Sequence, residues 1–261
     1  MRNYWIRFLR LNLRFLMLDA SEHLSADTKA ARKFPKFGVN VLIIGEAGAG
    51  KSTLIKEMTG DENIQTSSTY SGTSCDSRHS SPCKIHWIDT PGFKLPISPE
   101  EALKTKQGWF SQWKDSFAWI RWLGKIRGMI TSSDLSVRPS VVMYCHRASS
   151  RIVPGRMLEI FSIPHDHQIP LILCITDICG VDDEQRHEQR KAMEDLAAAL
   201  GNDRCGHAPT ILEINSEPKI VRSHRFAVTG VKELLAAVIN SLRPAHALNL
   251  VTRAWFRARR G

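Results

Sequence analysis

Long apolar runs are missing from this 261-residue chain. None approaches the ~18 uninterrupted apolar residues of an ordinary bilayer-spanning helix, which argues against one. Paired cysteines are missing as well. Cys75, Cys83, Cys145, Cys174, Cys179 and Cys205 form no C-x-x-C pair, and several sit in apolar runs such as VVMYC and LILC. That pattern suits buried thiols in a reducing compartment better than disulfides. Cys205 with His207, and Cys83 with His86, lack the second close pair that a zinc site requires. Internal repeats and low-complexity tracts are also absent.

Acidic residues are few: 26 against 36 basic ones, for a net charge of +10. The deficit is local. Residues 1–38, 102–139 and 219–261 together carry +18, so the remainder is −8. Positive charge on peripheral segments points to an anionic surface as partner, either membrane or nucleic acid.

The remainder contains the chemistry. Val39 to Ile44 is a short β-branched run, the pattern of a strand buried on both faces of a parallel sheet. GEAGAGKST follows it, and LIKEMTG then begins a helix. Gly45, Gly48 and Gly50 remove side chains so that consecutive N–H groups can face an anion, and the helix N-terminus favours negative charge. Gly45, Gly50, Lys51 and Ser52 satisfy G-x-x-x-x-G-K-S in full. Lys51 would reach the β- and γ-phosphates of a nucleoside triphosphate, and Ser52 would ligate Mg²⁺. Gly45, Glu46, Ala47, Gly48, Ala49, Gly50, Lys51, Ser52 and Thr53 are thus the expected phosphate cradle.

Further along, residues 61–83 are rich in Ser, Thr and Gly and read as a mobile loop. KIHWID reads as a strand ending in Asp89-Thr90-Pro91-Gly92. PSVVMYC, PLILCIT and PTILEI read as strands, and residues 183–200 and 231–242 as helices. The alternation predicts an α/β fold of three layers, with a mostly parallel sheet and helices on both faces. Ligands then sit at the carboxyl ends of the strands.

A Trp-rich helical insertion, about 97–138, interrupts the pattern. Trp109, Trp113, Phe117 and Ile120 recur there at helical spacing, with Lys114, Arg121, Lys125 and Arg127 nearby. Core packing, a protein or dimer interface and a membrane-surface helix are three open readings of it. The division that results is a basic amphipathic extension (1–37), a nucleotide-binding domain (38–242) and a basic tail (243–261). In the extension, Arg7, Arg10 and Arg14 share one helical face, while Trp5, Leu9, Leu13 and Leu16 lie on another. An interfacial helix, an organelle presequence and a helix docked on the domain all remain open.

The phosphate loop followed by DTPGF, 38 residues after Lys51, resembles the P-loop GTPases of the translation-factor-related class, including Era-like, septin-like, translocon-like and immune-associated members. The resemblance covers about residues 38–242. It implies a G domain binding GTP or GDP with Mg²⁺. Ser52, Thr73 and Asp89 are the implied metal-site residues, with Thr69 an alternative to Thr73, and Lys51, Thr73 and Gly92 the implied hydrolytic residues. It further implies a switch loop ordered by the γ-phosphate.

Two departures stand out. The base-reading pattern [NT]-K-x-D is met only by Thr176, because Asp177 replaces Lys and Cys179 replaces Asp. Asp177 in a shifted register, and Asn215 or Ser216 of EINSEP, are the candidate base contacts. Phe93 stands where Ras-like enzymes place a water-orienting glutamine. Slow intrinsic hydrolysis follows, with Arg147 or Arg151 as candidate sources of charge.

The expected function is a switch-type GTPase acting on a partner or a membrane. A nucleotide-binding scaffold with degenerate guanine specificity and an Era-type RNA-associated GTPase are the alternatives. The expected location is intracellular and cytoplasmic, with peripheral membrane association and organelle targeting both open. Guanine nucleotide heads the expected partners, followed by an anionic membrane surface, a homodimer or protein partner, and RNA.

Overall fold

Alternation between two apolar faces builds the domain. In a computed structural model, which describes residues 38–64, 76–81, 85–94, 109–201, 208–221 and 224–242, strand β1 (Val39–Gly45) is buried along its whole length. Val39, Val41 and Ile43 enter one core, Leu42 and Ile44 the other. Strand β4 (Val141–Arg147) repeats this with Val141, Met143 and Cys145 against Val142 and Tyr144. A strand covered on both sides has no need of polar alternation, which is why these segments read as continuous apolar runs.

The six-stranded sheet has the order β2-β3-β1-β4-β5-β6, with β2 Ser77–Ser80, β3 Ile85–Asp89, β5 Leu171–Thr176 and β6 Thr210–Ile214. All neighbours pair in parallel except β2, which runs antiparallel on the edge. Helices α1 (Lys51–Thr59) and α5 (Val231–Ser241) cover one face through Leu54, Ile55, Met58, Leu234, Leu235 and Val238. Helices α2 (Trp109–Ile130), α3 (Pro154–Asp166) and α4 (Asp183–Leu200) cover the other, with Phe161 and Met193 among their buried residues. This is the three-layer P-loop NTPase architecture.

Strand β2 corrects part of the loop expected over 61–83. Its sequence, SRHS, offers no apolar pattern because an edge strand needs only main-chain pairing. Arg78 fastens it, donating to Asn40 Oδ1 at 2.8 Å and to the Ser136 carbonyl at 3.0 Å. Buried Asn40 in turn donates to carbonyls of Leu135, Ser136 and Arg138, fixing the approach to β4. A hairpin of β7 (Lys219–Val221) and β8 (His224–Phe226) was not anticipated either.

The Trp-rich helix α2 is the crossover between parallel β3 and β4, a connection that the sheet requires. Of its three sequence readings, core packing holds for one face. Trp119, Ile126 and Ile130 are buried, and the Trp119 indole N–H donates to Glu159 at 3.2 Å. The opposite face is open, with Phe117 54% and Ile120 64% exposed. No helix among the described residues is long and apolar enough to cross a membrane.

Candidate functional site

The carboxyl ends of β1, β3 and β5 converge on the turn between β1 and α1. Three glycines shape it: Gly45, Gly48 and Gly50 have φ of 153°, 79° and 73°. A Cβ on Gly45 would lie 2.3 Å from the Cys145 carbonyl oxygen, so only glycine lets β1 and β4 close at this point. Lys51 opens α1 and is buried, its ammonium donating to the carbonyls of Gly45 at 3.2 Å and Glu46 at 2.9 Å. Burial pushes its pKa down, and Cys145, Asp89 and Glu46 act in the opposite direction. The loop thus curls around its own cation, with Ala47, Ala49 and partly buried Thr53 completing the cradle sequence.

Ser52 and Asp89 meet beside it. The Ser52 hydroxyl donates to Asp89 Oδ2 at 2.6 Å, and the Asp89 side chain is buried. An oxygen-only pair of a hydroxyl and a buried carboxylate at the mouth of a phosphate loop fits Mg²⁺ chemistry. Thr73 and Thr69, the other metal-site candidates, lie outside the described residues.

The D-T-P-G turn is stitched to the loop. Thr90 donates through its hydroxyl to the Ile43 carbonyl at 2.8 Å. Ala47 N–H donates to the Phe93 carbonyl at 3.0 Å, and Glu46 and Phe93 form an isolated parallel bridge. Gly92 lies flush against the loop: a Cβ there would come within 2.5 Å of Ala47 Cα and 2.7 Å of Ala47 N. Phe93 points elsewhere. Its ring is buried against Trp122, Trp119 and Tyr144, with centroid separations of 4.3, 5.3 and 6.4 Å. The side chain at the position of the Ras-like glutamine therefore joins the core beneath α2.

On the base side the expected residues separate. Thr176 is buried, and its hydroxyl lies 2.9 Å from the Ala49 carbonyl and 3.1 Å from that of His146, tying the end of β5 to the phosphate loop. Asp177 adopts a left-handed conformation with φ 57°, and Arg147 donates to its Oδ2 from Nε at 3.0 Å and Nη2 at 2.9 Å. The Arg147 charge is thus directed to Asp177 in this structure. Cys179 lies in the 3-10 turn Ile178–Gly180 that follows.

Asn215 is buried and donates to the Ala227 carbonyl at 2.8 Å, while its backbone pairs with Thr229. Its amide N–H therefore closes the neck of the β7–β8 hairpin. Ser216 follows it, half-buried.

Sequence reasoning missed a buried polar group under the loop. His146 is fully buried and pairs through Nε2 with Gln189 at 3.0 Å, while its Nδ1 lies 3.9 Å from Glu46 Oε1. Burial raises the Glu46 carboxyl and lowers the His146 imidazole, with Lys51 opposing the first shift, and Gln189 and the Ser150 backbone the second. No spacing could reveal this cluster, since Glu46, His146 and Gln189 meet only through the sheet. A cavity of about 500 Å³, lined by His165, Leu171, Leu200, Thr210 and Asn240 among others, opens at the start of β5 and β6, the opposite end from the phosphate loop.

Fold and phosphate loop together define the P-loop NTPase fold. Residues 40–126 match the family model described as 50S ribosome-binding GTPase. That match covers about a third of the chain, and the fold is the three-layer P-loop NTPase fold.

No curated protein matches the sequence significantly. Among solved structures, a dimerization-deficient mutant of Toc33 from Arabidopsis thaliana shares the fold at 15% identity and a TM-score of 0.52, over 82% of this chain and 86% of that one. Translation elongation factor SelB from Methanococcus maripaludis, in complex with the GTP analogue GppNHp, aligns at 16% identity and a TM-score of 0.48, over 80% of this chain. This chain spans only 36% of the SelB length. A probable GTP-binding protein engB aligns at 13% identity and a TM-score of 0.48, over 78% of this chain and 98% of that one.

Proposed function

We propose that this G domain binds GTP and GDP, hydrolyses GTP slowly, and acts as a switch whose state is read by a partner surface. The observation that carries this reading is the meeting of Lys51, Ser52 and Asp89 at one end of the sheet, with Ser52 and Asp89 2.6 Å apart. In this reading Lys51 and the loop N–H groups hold the β- and γ-phosphates. Mg²⁺ would be held by Ser52, by Asp89 through water and by Thr73, and would neutralise charge on the transferring phosphoryl group. Gly92 brings the D-T-P-G backbone against the loop, where its N–H would contact the γ-phosphate.

Slow hydrolysis follows from Phe93, whose ring is buried away from the loop and has no group to orient water. Asp177 is the base reader in this account, and its pairing with Arg147 must accommodate the base. That pairing also favours a second reading, a nucleotide-binding scaffold with reduced guanine selectivity.

Competition of fluorescent GTP by GTP, GDP, ATP and XTP separates the two. Displacement by GTP and GDP alone supports the guanine switch; equal displacement by all four supports the scaffold. Lys51→Ala should abolish triphosphate binding, and unchanged affinity would refute both.

A further inference from the structure

Helix α2 has two faces with different jobs. One is committed to the core through Trp119, Ile126 and Ile130. On the other, the exposed positions from 117 to 128 are Phe117, Ala118, Ile120, Arg121, Gly124, Lys125, Arg127 and Gly128. They include no acid, no amide and no hydroxyl.

Helical geometry orders these residues further. At roughly 100° per residue, Phe117, Gly124 and Gly128 fall within about 20° of one line, with Ile120 beside them. Arg127 lies on one flank of that apolar strip, and Arg121 and Lys125 lie on the other. A Cβ on Gly124 or Gly128 would meet nothing within 4 Å, so the strip is open at both glycines. The Arg121 guanidinium lies 5.9 Å from the Phe117 ring centroid. Lys125 is partly engaged, paired with Asp76 at 2.8 Å, which leaves Arg121 and Arg127 as the main cations.

We infer that this face of α2 docks the protein on an anionic lipid bilayer, with Phe117 and Ile120 entering the headgroup–acyl boundary and Arg121 and Arg127 meeting acidic headgroups. Charge complementarity and the kind of groups displayed both select this partner. A lipid surface takes apolar side chains flanked by cations and needs no directional hydrogen bonds. A protein partner of matched shape would ordinarily meet side-chain acceptors as well as donors, and the exposed positions of this face carry donors only. The helix lies in the interface plane, since it is not apolar enough to cross. Docking of this kind does not depend on which nucleotide the domain binds.

The test uses the full chain without added nucleotide, in sedimentation with vesicles of phosphatidylcholine alone and of phosphatidylcholine with phosphatidylserine. Wild type should sediment with the second and not the first. Arg121→Gln with Arg127→Gln should weaken partitioning about thirtyfold, and Ile120→Ser should weaken it without changing its salt dependence. Because these positions are exposed, the far-UV circular dichroism of the variants should match wild type.

Failure of wild type to sediment would overturn the inference. So would binding that the variants leave unchanged, which would assign it to another basic segment. Self-association in sedimentation velocity that Ile120→Ser abolishes, without vesicle binding, would also overturn it and give the face to a second copy of the chain.

Discussion

Placing a glutamine at position 93 would restore the residue type that resemblance to Ras-like GTPases expects, and the structure predicts that it will fail. The Phe93 ring is 5% exposed and sits 4.3 Å from the Trp122 ring and 5.3 Å from that of Trp119. Losing burial of the ring costs about 1.5–3 kcal/mol. The two indole contacts add roughly 0.5–1.5 kcal/mol each. An amide left in that apolar cluster costs a further ~1–3 kcal/mol. Some of this is recovered as the longer side chain bends toward water, so Phe93→Gln should lose about 3–5 kcal/mol. Phe93→Leu, which stays apolar but forfeits both indole contacts, should lose about 1–3 kcal/mol.

Urea unfolding followed by circular dichroism measures both variants, and the near-UV signal reports the stacked Trp119–Trp122 pair, 5.6 Å apart. Single-turnover GTP hydrolysis, measured under conditions where each variant is folded, should show no acceleration by the glutamine. Near-wild-type stability combined with faster hydrolysis would refute the reasoning. It would mean that residue 93 turns toward the phosphate loop and not toward α2.

Thr176→Val keeps the shape of a buried side chain and deletes the hydroxyl that reaches the Ala49 and His146 carbonyls, so stability should fall by about 1–3 kcal/mol, read by chemical denaturation. Unchanged stability would show that the hydroxyl is not a working link between β5 and the phosphate loop. His146 supplies a pH dependence. Burial holds its folded pKa below the ordinary 6.5, so the unfolded chain takes up the proton first. Its contribution is therefore intact above about pH 6.5 and is lost as pH falls from there through the lower folded value. The neighbouring Glu46, raised by burial, titrates in the opposite sense, so the informative quantity is the difference between wild type and His146→Gln. Melting temperatures from about pH 5 to 8 should show that difference shrinking on acidification, and parallel curves would exclude the assignment.

The sequence alone determined the elements whose physics is local. The central strands β1, β4 and β5 are buried on both faces, so their apolar runs are visible without any knowledge of their neighbours. The turn after β1 needs glycine for its backbone angles and Lys51 and Ser52 at fixed offsets, so it is legible as a string. Helix α4 is similarly plain: it is capped by Asp182, whose side chain accepts from the Gln185 N–H, and its bounds of 183–200 agree with its pattern.

Tertiary structure decided whatever depends on residues distant in sequence. Strand β2 is polar because its order comes from β3 and from Arg78 bonding to Asn40, neither of which leaves a periodic signal. Asn215 donates to the Ala227 carbonyl only because the β7–β8 hairpin brings the two together, and Arg147 meets Asp177 only because β4 and β5 are neighbours. For α2, sequence periodicity showed that Trp, Phe and Ile share helical spacing. Only packing against Phe93 and α3 distinguished the buried Trp119 from the exposed Ile120, because an apolar stripe has the same spacing whether it faces a core or the solvent.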